Sequence, residues 1–401
     1  MRIAIVADDL TGACDAAAPF AARGWHTEVQ VAPGLVEPTS AAVLALNTDS
    51  RALSPTRARA RVAEAVSRLL AMQPGTVPDK PVLYKKVDST LRGPVAAEIA
   101  GCLDSWPTPL AILCPAFPAN GRIVQGGRLI VTGRGDLGSV LDLAGFPATM
   151  RCTTPGLVDT AAVQSALDSS TQVLIADATT PGHLQALATL ASSGRWPRPP
   201  LLVGSAGLSS ALASVLPPPH HPRSSHGPSS SGTNGWLVIA GSWSPITRRQ
   251  VDRLIQDGAL HLTAHRQHSA ARAGQTAAAL RRGRAVVLTL PPTARPPTVR
   301  AEHAASVRLA EAGREILDRV KPRGLILTGG ATAQACLGAL GITRLRIQSE
   351  LLPGIPLSTP LGDHVDGAWA DLPIISKSGA FGADDTLVRL TSLNPGEHDP
   401  A

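Results

Sequence analysis

At 401 residues, 44% of them apolar and only 3% aromatic, the chain is long enough for two or three domains whose cores rest on Ala, Leu, Val and Ile. No apolar run approaches the roughly 18 to 20 residues that span a bilayer, and no charged-then-apolar-then-small signal pattern opens the chain, so no membrane partner and a cytoplasmic location are expected. The formal charge of +7 comes mostly from arginines spread along the chain without interleaved aromatics, which argues against a nucleic-acid partner and leaves an attraction for small anions.

The first predicted element is the strand IAIVA, which runs directly into Asp8 and Asp9 and then into Thr-Gly-Ala and an alanine-rich helix. Two adjacent carboxylates at a strand end can receive substrate hydroxyls, hold a magnesium ion or supply a general base. Capping of the following helix accounts for one aspartate and not for two. Gly12 lets the backbone come close to whatever is bound.

Further apolar β-type runs follow as AVLALN, VLYKKV, AILCPAF, QVLIAD and LLVGS, several leading into helical stretches such as SPTRARARVAEAVSRLLA. In YKKVDSTLRGPVAAEI a strand ends in Asp88-Ser89-Thr90, then Arg92, then Gly93-Pro94 opening a helix. Lys85 and Lys86 point to opposite faces of their strand, so only one reaches a site at its end. Arg92 can fork two donors onto a carboxylate. In CPAFPANGRIVQGGRLIV an Asn-Gly turn precedes Arg122 and a Gly-Gly pair; Arg122 serves as a second anion ligand if it shares a cleft with Arg92. The GxGxxG at Gly133, Gly135 and Gly138, with Asp159 further on, has the letters of a dinucleotide loop. Its short preceding strand favours a glycine-rich hairpin turn.

The segment from 216 to 235, LPPPHHPRSSHGPSSSGTNG, is too poor in apolar residues to fold alone. Its histidines read as part of an exposed linker rather than a metal site. The expected division is therefore 1–215, a linker at 216–235, and 236–401. Beyond it come WLVIAGS, AVVLTL and GLILTGG, again alternating with helical sequence. This alternation predicts an α/β protein of two domains, each a mainly parallel sheet with helices on both faces. Ligands then bind at the carboxyl ends of the strands.

Three glycine-containing loops follow strands in the C-terminal half. They are Thr328-Gly329-Gly330-Ala331-Thr332, the Ser242–Ser244 loop with Thr247 after it, and the stretch around Gly379. Glycines allow close backbone approach, and a helix N-terminus offers free N–H groups to phosphate. No GxxxxGK[ST] is present, so the set points to a nucleotide phosphate site other than a Walker P-loop. The cysteines at 14, 102, 114, 152 and 336 form no CxxC pair and no cluster with histidine, and read as small core residues.

Taken in order, ADDLTGA, KKVDSTLRG, CPAFPANGR with its Gly-Gly, VGSAGLSSALA, GSWSPITRRQ, LTGGATA, PGIPL and KSGAFG resemble the four-carbon acid sugar kinase family over nearly the whole chain. The resemblance implies an ATP- and Mg2+-dependent kinase acting on threonate, erythronate or their oxo forms, with the active site in the cleft between a sugar-acid-binding and a nucleotide-binding domain. It would place Asp8, Asp9, Lys86, Asp88, Ser89, Arg92 and Arg122 towards the sugar acid. Ser242, Ser244, Gly329, Gly330, Ala331, Thr332 and Gly379 would lie towards ATP. One of Asp8 and Asp9 is expected as the general base, its proton affinity raised by its neighbour, with Asp88 as the runner-up. No metal ligand is assigned. Relatives commonly carry Asp or Glu where this chain has Ala331, so that role is lost or passes to Asp384 or Asp385. Two alternatives stay open: a non-catalytic sugar-acid-binding protein with a degraded nucleotide site, and a nicotinamide-dependent oxidoreductase using the GxGxxG. The oligomeric state is open, a homodimer included.

Overall fold

The computed structural model describes residues 2–34, 36–72, 81–196, 198–217, 234–264, 270–291, 299–362 and 369–393. Two compact units divide the chain, Met1–His221 and Pro222–Ala401. The division falls within the segment expected as a linker; residues 218–233, with all three of its histidines, lie outside the described residues.

The strands, in chain order, are β1 (Ile3–Ala7), β2 (Thr27–Gln30), β3 (Val43–Asn47), β4 (Val82–Lys86), β5 (Ala111–Cys114), β6 (Arg122–Gln125), β7 (Arg128–Val131), β8 (Gly135–Ser139), β9 (Cys152–Gly156), β10 (Val173–Ala176) and β11 (Leu201–Gly204) in the first unit. The second unit contributes β12 (Leu237–Ala240), β13 (Leu260–Thr263), β14 (Val286–Thr289), β15 (Leu325–Thr328), β16 (Arg344–Leu352), β17 (Ile355–Leu361) and β18 (Ile374–Lys377).

In the first unit the strands run β2-β3-β1-β4-β11-β5-β10-β9, all parallel. β1, β3, β5, β10 and β11 are buried at every position, which is why they read as continuous apolar runs rather than alternating ones. Helix α1 (Leu10–Ala21) is itself buried throughout and packs beside the helix Ala206–Val215. Helices α2 (Pro55–Ala71) and α3 (Val95–Ser105) pack against each other. β1 lies between β3 and β4, where the chain's direction across the sheet reverses, and the crevice at such a point is where ligands bind.

Register aligns the strand ends there. Ala7 pairs with both Asn47 and Lys86, and Lys86 with Gly204, so Asp8, Thr48, Val87 and Ser205 stand along one rim.

In the second unit β13-β14-β12-β15-β18 are parallel, and the hairpin β16–β17 completes the sheet antiparallel to β18. Ala240 pairs with Thr328, and Thr328 with Lys377, so the three glycine loops leave adjacent strands at the same level.

β6, β7 and β8 form a separate antiparallel sheet, with Gly133 and Gly135 at the β7–β8 turn at φ 76° and 78°. A dinucleotide loop needs a parallel strand followed by a helix, so the GxGxxG is a hairpin device. All five cysteines are free, four of them buried and Cys152 half-buried.

Candidate functional site

The rim of β1, β3 and β4 gathers a charged cluster. Asp9 caps α1: its Oδ1 accepts the Gly12 N–H at 2.7 Å and its Oδ2 accepts the Thr11 hydroxyl at 3.0 Å. Asp8 makes no cap. Its carboxylate is gripped by Arg51, whose Nε and Nη2 donate to Oδ2 and Oδ1 at 2.8 and 2.9 Å, while Nη1 reaches Asp9 Oδ2 at 2.5 Å. Capping thus explains one aspartate and a forked arginine the other.

Arg51 is absent from the residues expected from sequence. It follows β3 in Asn47-Thr48-Asp49-Ser50-Arg51, and the backbone N–H groups of Ser50 and Arg51 both donate to Asp8 O. A polar run directly after the buried strand AVLALN is the available signal, since loops at strand ends carry function in such sheets. Gly93 lies against this segment: at φ 97°, its missing Cβ would sit 3.1 Å from Arg51 Cγ and 3.1 Å from Arg51 O.

Arg51 also corrects the expectation of a raised proton affinity as far as Asp8 is concerned. Burial alone would raise the Asp8 carboxyl, but the charges of Arg51, Lys85 and Lys86 outweigh it and hold Asp8 below the usual carboxylate range. The guanidinium that bridges Asp8 and Asp9 offsets one of their two negative charges, and the Lys86 ammonium lies beside them.

β4 contributes two lysines with opposite fates. Lys85 turns into the protein and pairs with Glu98 at 3.0 Å, both fully buried. Lys86 turns towards the aspartates. Its Nζ lies 3.2 Å from where a Cβ on Gly12 would stand, a point 2.6 Å from Asp9 Oδ1 and 3.6 Å from Asp8 Oδ1. Gly12 is what allows these three side chains to converge.

Past β4, Asp88 anchors its own turn. Its Oδ2 accepts from the Thr90 N–H at 3.0 Å and the Thr90 hydroxyl at 2.5 Å, and Arg92 forks onto it at 3.0 and 2.6 Å. Burial opposes ionisation of Asp88, but Arg51, Arg92 and Thr90 overcome it and hold the carboxyl far below its usual range. Leu91 in this turn and Asp49 beside Arg51 both have positive φ, at 59° and 47°, a conformation that side chains other than glycine adopt at a cost and that clusters at functional sites. Ser89 is buried in the same turn.

Arg92 therefore meets an internal carboxylate, with its side chain 62% exposed. Arg122, at the start of β6, donates to Asn120 O and lies within electrostatic range of Asp88, Arg92 and Arg134. The Gly126-Gly127 pair that follows presents both N–H groups to the Asp177 carboxylate, at 2.6 and 2.9 Å.

The second unit builds a backbone cradle around Ser242. Gly329, at φ 97°, has no room to gain a side chain freely, since its Cβ would lie 3.3 Å from Ser242 Cβ. A Cβ on Gly379 would fall 1.8 Å from Ser242 Oγ. Ser242 Oγ accepts the Ser244 N–H at 3.2 Å, and Ser244 caps the helix Pro245–Gln256 through Ile246 N at 3.3 Å. Thr247 donates to Gly379 O at 2.9 Å, tying the loops together.

The helix Gly330–Ala339 begins at this point, so the N–H groups of Gly330, Ala331 and Thr332 have no acceptor within the helix. Ala331 faces solvent. Thr332 faces inward, buried, with its hydroxyl 3.5 Å from that of Ser306 and directly under Gly241. Lys377, at the end of β18, is fully buried and donates to Ser378 O and Phe381 O at 2.9 and 3.0 Å. Burial pushes its ammonium down to about 7. Gly354 of PGIPL packs on the Phe381 ring, 2.6 Å from where its Cβ would be. Asp384 pairs with Arg249 at 2.9 Å on the surface, and Asp385 makes no side-chain cap at the helix Thr386–Thr391. Among the described residues no group of three or more His, Cys, Asp or Glu could hold a metal ion, and no helix is long and apolar enough to cross a membrane.

Comparison with known proteins gives both units a counterpart. Residues 3–144 match the family model of a sugar-binding N-terminal domain, and residues 237–387 that of a nucleotide-binding C-terminal domain. The chain is 30% identical to a D-threonate kinase of Salmonella typhimurium, covering 96% of this chain and 97% of the relative. It is 32% identical to a D-threonate kinase of Cupriavidus necator, covering 96% and 95%. A solved structure of a Salmonella typhimurium LT2 protein, 20% identical, matches 97% of this chain and 98% of its own with a TM-score of 0.71, a likeness of fold.

Proposed function

The chain belongs to the four-carbon acid sugar kinase family, and we infer that it is an ATP-dependent kinase that phosphorylates a hydroxyl of a four-carbon sugar acid, D-threonate first among them. The observation that carries the reading is the pairing of two strand-end sites with complementary chemistry: a carboxylate and cation cluster after β1, β3 and β4, and a glycine cradle after β12, β15 and β18. Relatives named as D-threonate kinases align over nearly their whole length, which supports D-threonate as the first substrate to test.

A sugar acid presents hydroxyls and one carboxylate, so its site needs acceptors and cations together. Asp9 is the carboxylate suited to the reacting hydroxyl. Its side chain is 13% exposed where that of Asp8 is 1%, and neither of the low-range carboxylates, Asp8 or Asp88, favours taking a proton. Asp8 and Arg51 fix Asp9 in place from behind. Lys86, Arg92 and Arg122 supply positive charge for the acid's carboxylate, with Ser89 and Asp88 shaping the turn between them. Phosphoryl transfer asks little more of a protein than such positioning and charge neutralisation.

ATP would lie with its phosphates against Gly329, Gly330 and the first turn of Gly330–Ala339, where free N–H groups and the helix dipole favour anions. A side chain at 329 or 379 would press on Ser242 and displace the loops that border this helix start. Ser242 and Ser244 border the same loops. Magnesium would arrive on the nucleotide and would supply charge neutralisation to its phosphates. Ala331 offers it no ligand, and Asp384 is engaged by Arg249. ATP as donor supports a cytoplasmic location.

Incubation with Mg-ATP labelled in the γ-phosphate tests this directly. Label appearing in D-threonate phosphate is the expected result. ATP binding without transfer to any four-carbon acid would leave a sugar-acid-binding protein as the better description.

A further inference from the structure

Helix α1 is buried along its whole length, yet its second turn carries a carboxylate, Asp15, only 4% exposed. No role assigned so far uses it. Its Oδ1 has no hydrogen-bond partner among the described residues and faces Lys86 Nζ at 3.5 Å, longer than the 2.7–2.9 Å of a closed charge-assisted bond. Lys86 is 3% exposed and spends one donor on Val87 O at 3.0 Å. The ammonium therefore stands between a buried carboxylate on one side and the Asp8–Asp9 rim on the other.

β4 sets Lys86 and Tyr84 against Asp15, the end of β1 sets Asp9, and the segment after β3 sets Arg51. The helix Ala206–Val215 has no titratable side chain and meets α1 through Ser209, whose hydroxyl bonds Ala16 O at 2.5 Å. Glu28 of β2 turns away to Thr39 and His26. Among the described residues, Lys86 is thus the one cation that pairs with Asp15.

We propose that Asp15 is a positioning residue that acts through Lys86 and sets how much positive charge the ammonium presents to the anionic sugar acid. Protonated Asp15 leaves that charge whole; ionised Asp15 quenches it from behind. Burial, joined by the neighbouring Asp9, raises the Asp15 carboxyl to about 7 against the pull of Lys86 and Arg51, so both forms exist near neutrality. The substrate's own carboxyl, with a pKa of roughly 3.5, stays ionised throughout. Acid binding should therefore draw a proton onto Asp15 and weaken as the pH rises. The proposal rests on Lys86 facing the sugar acid.

The test is calorimetric titration of D-threonate into the full-length chain without ATP, in buffers of different ionisation enthalpy, from about pH 6 to about pH 8. The expected wild-type result is uptake of a fraction of a proton near neutrality and a Kd that rises by about tenfold across the range. Asp15→Asn, close in shape, should show no proton uptake and a flat Kd. Lys86→Met should also lose the uptake, because Asp15 acts only through that ammonium. Wild-type binding without proton uptake, or uptake that survives in Asp15→Asn, overturns the proposal. Turnover is not read in this experiment, so a chain that binds acid with proton uptake yet transfers no phosphate contradicts the kinase reading alone.

Discussion

Arg51 reaches back across 43 residues to fork onto Asp8, with both donor distances under 3 Å, and extends its remaining nitrogen to Asp9. The guanidinium holds the two adjacent carboxylates at the end of β1 together. Burial would lower its proton affinity, but Asp8, Asp9 and Asp88 raise it well above the ordinary arginine range.

Arg51→Met should therefore leave Asp8 buried without its partner and cost about 3–5 kcal/mol in urea unfolding. The pH dependence follows in sign. Asp8 has a folded pKa below its unfolded value of 3.8, so its stabilisation is present above that value and is lost as the pH falls through the lowered one. Removing Arg51 should move acid unfolding to higher pH, and an unchanged acid midpoint would show that the fork does not stabilise Asp8. Arg51→Lys should recover little, since an ammonium cannot fork.

Asp9→Asn separates capping from chemistry. Asparagine caps helices about as well as aspartate and gives up only the single Arg51 Nη1 contact, so the melting temperature should fall modestly. Turnover should fall by about 10²-fold or more, while ATP affinity changes by less than about twofold. A turnover loss no larger than the loss of folded protein explains would make the role of Asp9 structural alone.

Gly379→Ala places a methyl group 1.8 Å from Ser242 Oγ, so the loop or the serine must move. ATP affinity should drop by at least about tenfold, 1.4 kcal/mol, with D-threonate affinity unchanged. Parallel loss of both affinities would point to general unfolding, which circular dichroism would report.

Lys377 carries a pH signature in the second unit. Its folded pKa, about 7, lies below its ordinary 10.5. Between those values the unfolded chain holds a proton that the folded chain does not, so stability rises with pH across this window, by about 1.4 kcal/mol per unit at most. Lys377→Met should flatten that rise in chemical denaturation measured at several pH values.

Much of this was legible in the sequence because the signals are local. The runs IAIVA, AVLALN and GLILTGG became buried parallel strands, and the turns after them became the rims where the charged and glycine loops stand. β16 and β17 were less legible as a pair: Pro353-Gly354, with Gly354 at φ 76°, marks the turn locally, but the antiparallel pairing of the strands on either side breaks the alternation of strand and helix that the rest of the chain follows. Arg51 was missed because its partners are joined to it by sheet register, Ala7 beside Asn47, which no spacing in the sequence displays. Asp15 was hidden in an alanine-rich helix whose burial on all sides is a tertiary fact; a lone carboxylate among residues that all face the interior is the trace it leaves.

The most direct test of the kinase assignment is steady-state ADP release with Mg-ATP across the isomers of threonate, erythronate and 3-oxo-tetronate. Turnover with D-threonate above the other acids, saturable in both substrates, is the expected result. No ADP release with any of these acids, from a folded chain that binds ATP, would contradict it.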